Sequence, residues 1–138
     1  MSFKNDCLFC KIVKKEIPAK IVGENSYAIA FLDINPISVG HLLVIPKNHF
    51  DNFVQCDQQS LLEVSLLAQK MATKLSECCL KPQGFNFISN LNKIAGQEIN
   101  HFHLHVIPKY IKDEGLNFNN NIKLNMSVDE SFKVINES

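Results

Sequence analysis

The chain contains no arginine: all fourteen of its basic residues are lysine. That excludes a bidentate guanidinium clamp, so any phosphate it binds must be held by backbone N–H groups, histidine, amide side chains or lysine. Neither charge sign is in excess, with fourteen basic residues against fourteen acidic ones. This argues against a protein that coats nucleic acid or a charged membrane surface. No apolar run approaches the roughly 20 residues of a membrane span, and the N-terminus lacks the apolar segment of a secretion signal. The five cysteines, at positions 7, 10, 56, 78 and 79, are odd in number and lack the spacing of a secreted disulfide framework. A cytoplasmic location is therefore expected.

The rest of the composition, 46% hydrophobic and 20% charged over 138 residues, is ordinary for one globular domain spanning 1–138. Residues 7–17 mix apolar Leu8, Phe9, Ile12 and Val13 with lysine and read as a short helix stopped by Pro18. Ile21–Val22 and Ser26–Asp33 read as two strands, and the compact run 41–46 as a buried third. Asp57 is placed to N-cap a long helix over 58–80, with apolar residues 61, 64, 67, 68, 71, 75 and 78 forming one stripe. Residues 85–90 alternate as a strand, 91–100 form a polar loop, and 112–125 are Asn-rich and weakly patterned. Ser127 and Glu130 make a capping box for a short last helix carrying Val128, Phe132 and Ile135. Hairpins of strands with one long and two short helices imply an α+β fold, an antiparallel sheet with helices on one side.

Residues 101–108 read His-Phe-His-Leu-His-Val-Ile-Pro. In an extended chain successive side chains point to opposite faces, so His101, His103 and His105 share one face while Phe102, Leu104 and Val106 take the other. Imidazole serves near neutral pH as nucleophile, proton shuttle or metal ligand. A nucleophilic imidazole needs its far nitrogen held by an acceptor, and neighbouring histidines supply partners for proton transfer and charge neutralisation. A metal site made of the three histidines alone is a further reading.

Cys7-Leu8-Phe9-Cys10 is half of a tetrahedral zinc site. His49 and one histidine of the triple are candidates for the other two ligands. A pair of buried core cysteines is the alternative, and a redox pair lacks the βαβ context it needs. The loop Asn90–Gln97, with Gly96 preceding Gln97, can present N–H donors to an anion.

The run His101-Phe-His-Leu-His-Val-Ile resembles the motif of the histidine triad (HIT) family, in its small Hint/Hit branch. The resemblance extends to residues 7–20, to Ala30-Phe-Leu-Asp33-Ile-Asn-Pro and to Gly40-His41-Leu-Leu-Val-Ile-Pro-Lys-Asn-His49. It covers about residues 5–110 and fades over the tail 112–138, which lacks the tryptophan-containing C-terminus of animal Hint proteins. It implies a HIT-like fold, a five-stranded antiparallel sheet with one long helix and short terminal helices, paired into a homodimer. It also implies a purine nucleotide hydrolase, with no nucleic-acid or membrane partner. His103 would attack the α-phosphorus, His105 would hydrogen-bond the phosphate, and His41 would stand beside them. Asp33 would take the ribose hydroxyls, and Leu8, Phe9, Ile12, Phe31 and Ile34 would form the base slot. Asn90 and Gln97 would contact phosphate or leaving group.

A structural zinc, as in bacterial Hit proteins, would be held by Cys7, Cys10, His49 and His101. The expected activity is cleavage of purine nucleoside phosphoramidates or aminoacyl nucleotides. A Fhit-like diadenosine polyphosphate hydrolase and a nucleotide-sensing scaffold with little turnover are the alternatives. One position departs from the family pattern: Ser or Thr usually follows the glutamine and faces the leaving group, and here it is Glu98.

Overall fold

In the computed structural model, which describes residues 2–120 and 122–137, the central strand β3 (Leu42–Pro46) is buried at every position. That continuous burial explains its unbroken apolar run, because β3 is covered on both faces. It sits within a five-stranded antiparallel sheet of order β1-β2-β3-β5-β4, formed with β1 (Ile21–Glu24), β2 (Ala28–Leu32), β4 (Gly84–Ile88) and β5 (Leu104–Lys109). The α+β architecture expected from the hairpin pattern is thus the one observed. Helix α1 (Leu8–Val13) precedes the sheet, the long helix α2 (Gln58–Glu77) joins β3 to β4, and α3 (Val128–Asn136) ends the chain.

Strand alternation divides the core in two. Ala28, Ala30, Leu42, Val44 and Val106 pack with Phe102 against Val64, Leu67, Ala68, Met71 and Leu75 of α2. Their neighbours Ile29, Phe31, Leu43 and Ile45 pack on the other face against Cys7, Phe9, Cys10 and Ile12 of the α1 region. Helices therefore cover both faces of the sheet and not the single side expected, because β2 and β3 are apolar on both faces. Burying an aliphatic or aromatic side chain of this size contributes roughly 1.5–3 kcal/mol, so each layer is a substantial part of the stability. His105 pairs with Leu43 across the ladder, so the triple of histidines lies on the α1 face.

Three boundaries differ from the sequence expectation. Helix α1 stops at Val13, well before Pro18, because Lys15 takes a left-handed conformation (φ 62°). The Lys15 N–H donates to the Ile12 carbonyl and the Glu16 N–H to that of Lys11, the two bonds of a Schellman motif. Helix α2 is N-capped by Asp57, whose carboxylate accepts from the Ser60 N–H at 2.8 Å. It ends at Glu77, where Cys78 turns extended and gives its S–H to the Leu75 carbonyl. The ladder of β5 begins only at Leu104, so His101 and His103 precede it. They are held there by loop partners: Phe102 N–H donates to the Phe50 carbonyl at 2.6 Å and Ser89 Oγ to the His103 carbonyl at 3.0 Å.

The Ser127 hydroxyl caps α3 at the Glu130 N–H, but Val128, Phe132 and Ile135 stay exposed and no residue of that helix is buried. Among the described residues no helix is long and apolar enough to cross a membrane.

Candidate functional site: a Cys2His2 cluster beside an oriented imidazole

Cys7 N-caps α1, its sulfur accepting from the Cys10 N–H, so one helical turn brings both sulfurs to the same end of the helix. Facing them are His101, fully buried, and His49 on the turn after β3. Cys10 Sγ lies 3.3 Å from His49 Nδ1 and 3.6 Å from His101 Nδ1, and Cys7 Sγ lies 3.4 Å from His101 Nδ1. A tetrahedral zinc with bonds of about 2.3 Å to sulfur and about 2.0 Å to nitrogen has S···N edges of about 3.5 Å. These three sulfur–nitrogen separations match such an ion, and all four donor atoms lie within 4.8 Å of one another.

The outer partners fix the correct ring nitrogens. His101 Nε2–H donates to the Pro46 carbonyl at 2.9 Å and His49 Nε2–H to Asp51 Oδ1 at 2.8 Å. Both rings are thereby left with an Nδ1 lone pair aimed at the sulfurs, the arrangement a ligating histidine needs. Burial pushes the Cys10 thiol pKa up and that of His101 down to about 4. A bound cation acts in the opposite sense on the thiol, favouring the thiolate. The hydrogen bond from His49, with Lys4 nearby, holds the Asp51 carboxyl below its ordinary range.

The same segment, running from His101 into β5, carries the second half of the site. His103 Nδ1–H donates to the carbonyl of His101 at 2.7 Å. A neutral imidazole has one N–H, so its Nε2 is left as an unprotonated lone pair. Burial lowers the His103 pKa and favours that neutral form. Phe9 stands edge-on to the ring at 5.2 Å between centroids. His105 is fixed through a relay. The Ile37 N–H donates to His41 Nδ1 at 3.2 Å, which places the His41 proton on Nε2. That proton goes to His105 Nδ1 at 2.9 Å, leaving His105 with its own proton on Nε2. Burial, helped by His103 and His41, takes the His105 pKa down to about 4.

The relay also bears on a second group of donors. Asp33, His41 and His105 come close enough together to hold a metal, with Asp33 Oδ2 3.6 Å from His41 Nε2. Ligation through His41 Nε2 requires the proton on Nδ1, where the Ile37 N–H already points. The group is built for sharing protons.

Of the expected base-slot residues, Phe9, Ile12 and Phe31 are buried together, with Phe9 and Phe31 edge-to-face at 5.5 Å. Leu8 is 41% exposed and Ile34 87% exposed. Asp33 stands at the end of β2, where its Oδ1 accepts from the Asn35 N–H. The Asn90 amide lies against Gly96, where an added Cβ would come within 3.2 Å at a φ of +102°. Gln97 is buried, with its Nε2 donating to the carbonyls of Asp51 and Ile99 and its Oε1 accepting from the Asn92 N–H. Both Gln97 N–H groups are thus committed to backbone, tying loop 90–98 to the turn that carries His49. The sequence reading missed Asp51, the Ile37 amide and the carbonyls of Pro46 and His101. Only Asp51, a carboxylate two residues after a candidate ligand, left a side-chain signal.

This pairing of a Cys2His2 donor set with an oriented imidazole, on one face of a five-stranded antiparallel sheet, defines the class to which the chain is compared. The HIT domain family model matches residues 14–112. A HIT-like protein of Mycoplasma genitalium is 47% identical, over 97% of this chain and 94% of its own length. The adenosine 5′-monophosphoramidase of Schizosaccharomyces pombe is 38% identical, over 80% of this chain and 79% of its own. Among solved structures, a zinc-bound histidine triad family protein from Mycobacterium smegmatis is 34% identical at a TM-score of 0.74, covering 78% of each chain. The chain belongs to the HIT domain family.

Proposed function

We propose that this protein hydrolyses purine nucleoside phosphoramidates or aminoacyl nucleotides to the nucleoside monophosphate, through a nucleotidyl-histidine formed at His103. The observation that carries the reading is the His103 Nδ1–H bond to the His101 carbonyl, which leaves Nε2 free to attack. The relationship to the S. pombe monophosphoramidase supports the substrate class.

In the first step Nε2 forms a bond to the α-phosphorus as the P–N bond breaks, and the leaving nitrogen takes a proton from solvent and departs as the amine. The imidazolium so formed keeps its Nδ1–H on the His101 carbonyl, which stabilises the positive charge. The His105 Nε2–H donates to a phosphoryl oxygen, backed by His41. Water then cleaves the nucleotidyl-histidine and His103 returns to its neutral form. Asp33 accepts from the ribose hydroxyls, while Phe9, Ile12 and Phe31, with Leu8 and Ile34 at the rim, enclose the base. Asn90 and Gln97 shape the loop over the phosphate.

Zinc is the ion that best fits two thiolates and two imidazoles at these distances. Four protein ligands leave it no open position, so it is structural. The β4 edge of the sheet, with Phe87 half exposed, supports a homodimer that continues the sheet. The five free cysteines suit a reducing cytoplasm.

A substrate panel tests the reading. An adenosine phosphoramidate is expected to be cleaved at least about tenfold faster than diadenosine tetraphosphate, a margin of roughly 1.4 kcal/mol in the transition state. Preference for the dinucleotide would favour the polyphosphate hydrolase instead.

A further inference from the structure

We infer that Ser38 is a positioning residue for His105: its hydroxyl anchors the turn that decides which way the His41–His105 relay carries its proton. Its effect on turnover rests on the phosphoramidase reading, while its effect on the two rings does not. The relay has two possible directions. As placed, His41 Nε2–H donates to His105 Nδ1 at 2.9 Å, and His105 keeps a proton on Nε2 for a phosphoryl oxygen. Reversed, His105 Nδ1–H would donate to His41 Nε2, and His105 would turn a bare lone pair toward the phosphate. The Ile37 N–H, 3.2 Å from His41 Nδ1, forbids that reversal, because two N–H donors would then face each other. Asp33 Oδ2 also faces His41 Nε2, but 3.6 Å is too long for a hydrogen bond that could decide the direction.

The position of the Ile37 amide depends on the residue after it. Of residues 32–40 Ser38 alone is buried, so it is the anchor of an otherwise outward-facing loop. Its Oγ–H donates to the Pro108 carbonyl at 2.6 Å. The ladder between β3 and β5 ends at Leu42 and Val106, and the hydroxyl supplies a donor where the sheet no longer does. A buried carbonyl left without one would cost free energy. The Ser38 carbonyl in turn accepts from the His41 N–H at 3.2 Å, closing a turn whose third residue, Gly40, has the positive φ (86°) of a type II turn. Ser38 thus ties β5, the strand that bears His105, to the amide that faces His41. Tyr110 adds an outer tie, its hydroxyl donating to the Val39 carbonyl at 2.8 Å.

The test pairs ring-nitrogen NMR of the free protein with kinetics on an adenosine phosphoramidate. In the wild type His41 and His105 should each show one tautomer, with the proton on Nε2. In Ser38→Ala His105 should become a mixture that includes the Nδ1–H form. Its kcat should fall by about tenfold, the weight of one orienting hydrogen bond, with KM changed by less than about twofold. Ser38→Thr keeps the hydroxyl and should restore both the single tautomers and kcat. Tautomers unchanged in Ser38→Ala, whatever the turnover, would overturn the proposal, because a merely structural role can lower kcat without moving a ring proton. A mixed His105 with wild-type kcat would overturn it as well. Should the wild-type protein cleave no phosphoramidate, the phosphoramidase reading fails separately. The NMR comparison of wild type with Ser38→Ala then decides the role of Ser38 alone.

Discussion

Replacing His103 with alanine is expected to lower turnover of an adenosine phosphoramidate by roughly 10⁴-fold or more, the scale seen when a covalent nucleophile is removed. Binding of the product nucleoside monophosphate should change far less, because in the proposed pose the base meets Phe9 and Phe31 and the ribose meets Asp33. The loss should therefore fall on kcat with little change in KM. His103 is almost fully buried and its Nδ1–H is held by the His101 carbonyl, so circular dichroism and thermal unfolding should accompany the kinetics. A variant that folds, binds nucleotide and still turns over at the wild-type rate would remove His103 from the chemistry.

The second large effect concerns the metal tetrad. Elemental analysis should give about one zinc per chain, and removing it should lower the melting temperature by about 10 °C or more. Metal binding is folding free energy, and a loss of several kcal/mol shifts a domain of this size by that amount. Cys10 is fully buried between His49 and His101, so Cys10→Ala should lose the metal outright. Asp51→Asn, which weakens only the partner of His49, should cost roughly 10–100-fold in zinc affinity. Cys56→Ala, outside the tetrad, should retain the metal. Zinc loss should also disturb His103, since the carbonyl that orients it belongs to His101, one of the proposed ligands. Nitrogen NMR of the His103 ring would then report a mixture of tautomers in place of one. Full stability and a single tautomer after metal removal would contradict this coupling.

Much of this site was legible in the sequence because alternation is a strong constraint. Histidines at 101, 103 and 105 must share a face once the chain is extended, and Phe102 and Val106 are indeed buried on the opposite side. The C-x2-C spacing likewise placed two sulfurs at one end of a helical turn. What the sequence hid was mostly backbone. The groups that assign the tautomers of His101, His103 and His41 are the Pro46 and His101 carbonyls and the Ile37 amide, and main-chain groups leave no trace in residue identity. Helix α1 ended early because Lys15 adopts a left-handed conformation that a lysine side chain does not advertise. The ladder stopped short of His101 and His103 because the loop at Phe50, and not β3, holds that stretch.

The most direct test of the account is to quench the protein during turnover of an adenosine phosphoramidate and map the covalent adduct by peptide mass spectrometry. The structure predicts an adenylyl group on the peptide containing residues 101–108, localised to His103 and absent from His103→Ala. An adduct on another residue, or rapid turnover with no adduct at any quench time, would contradict a nucleophilic His103.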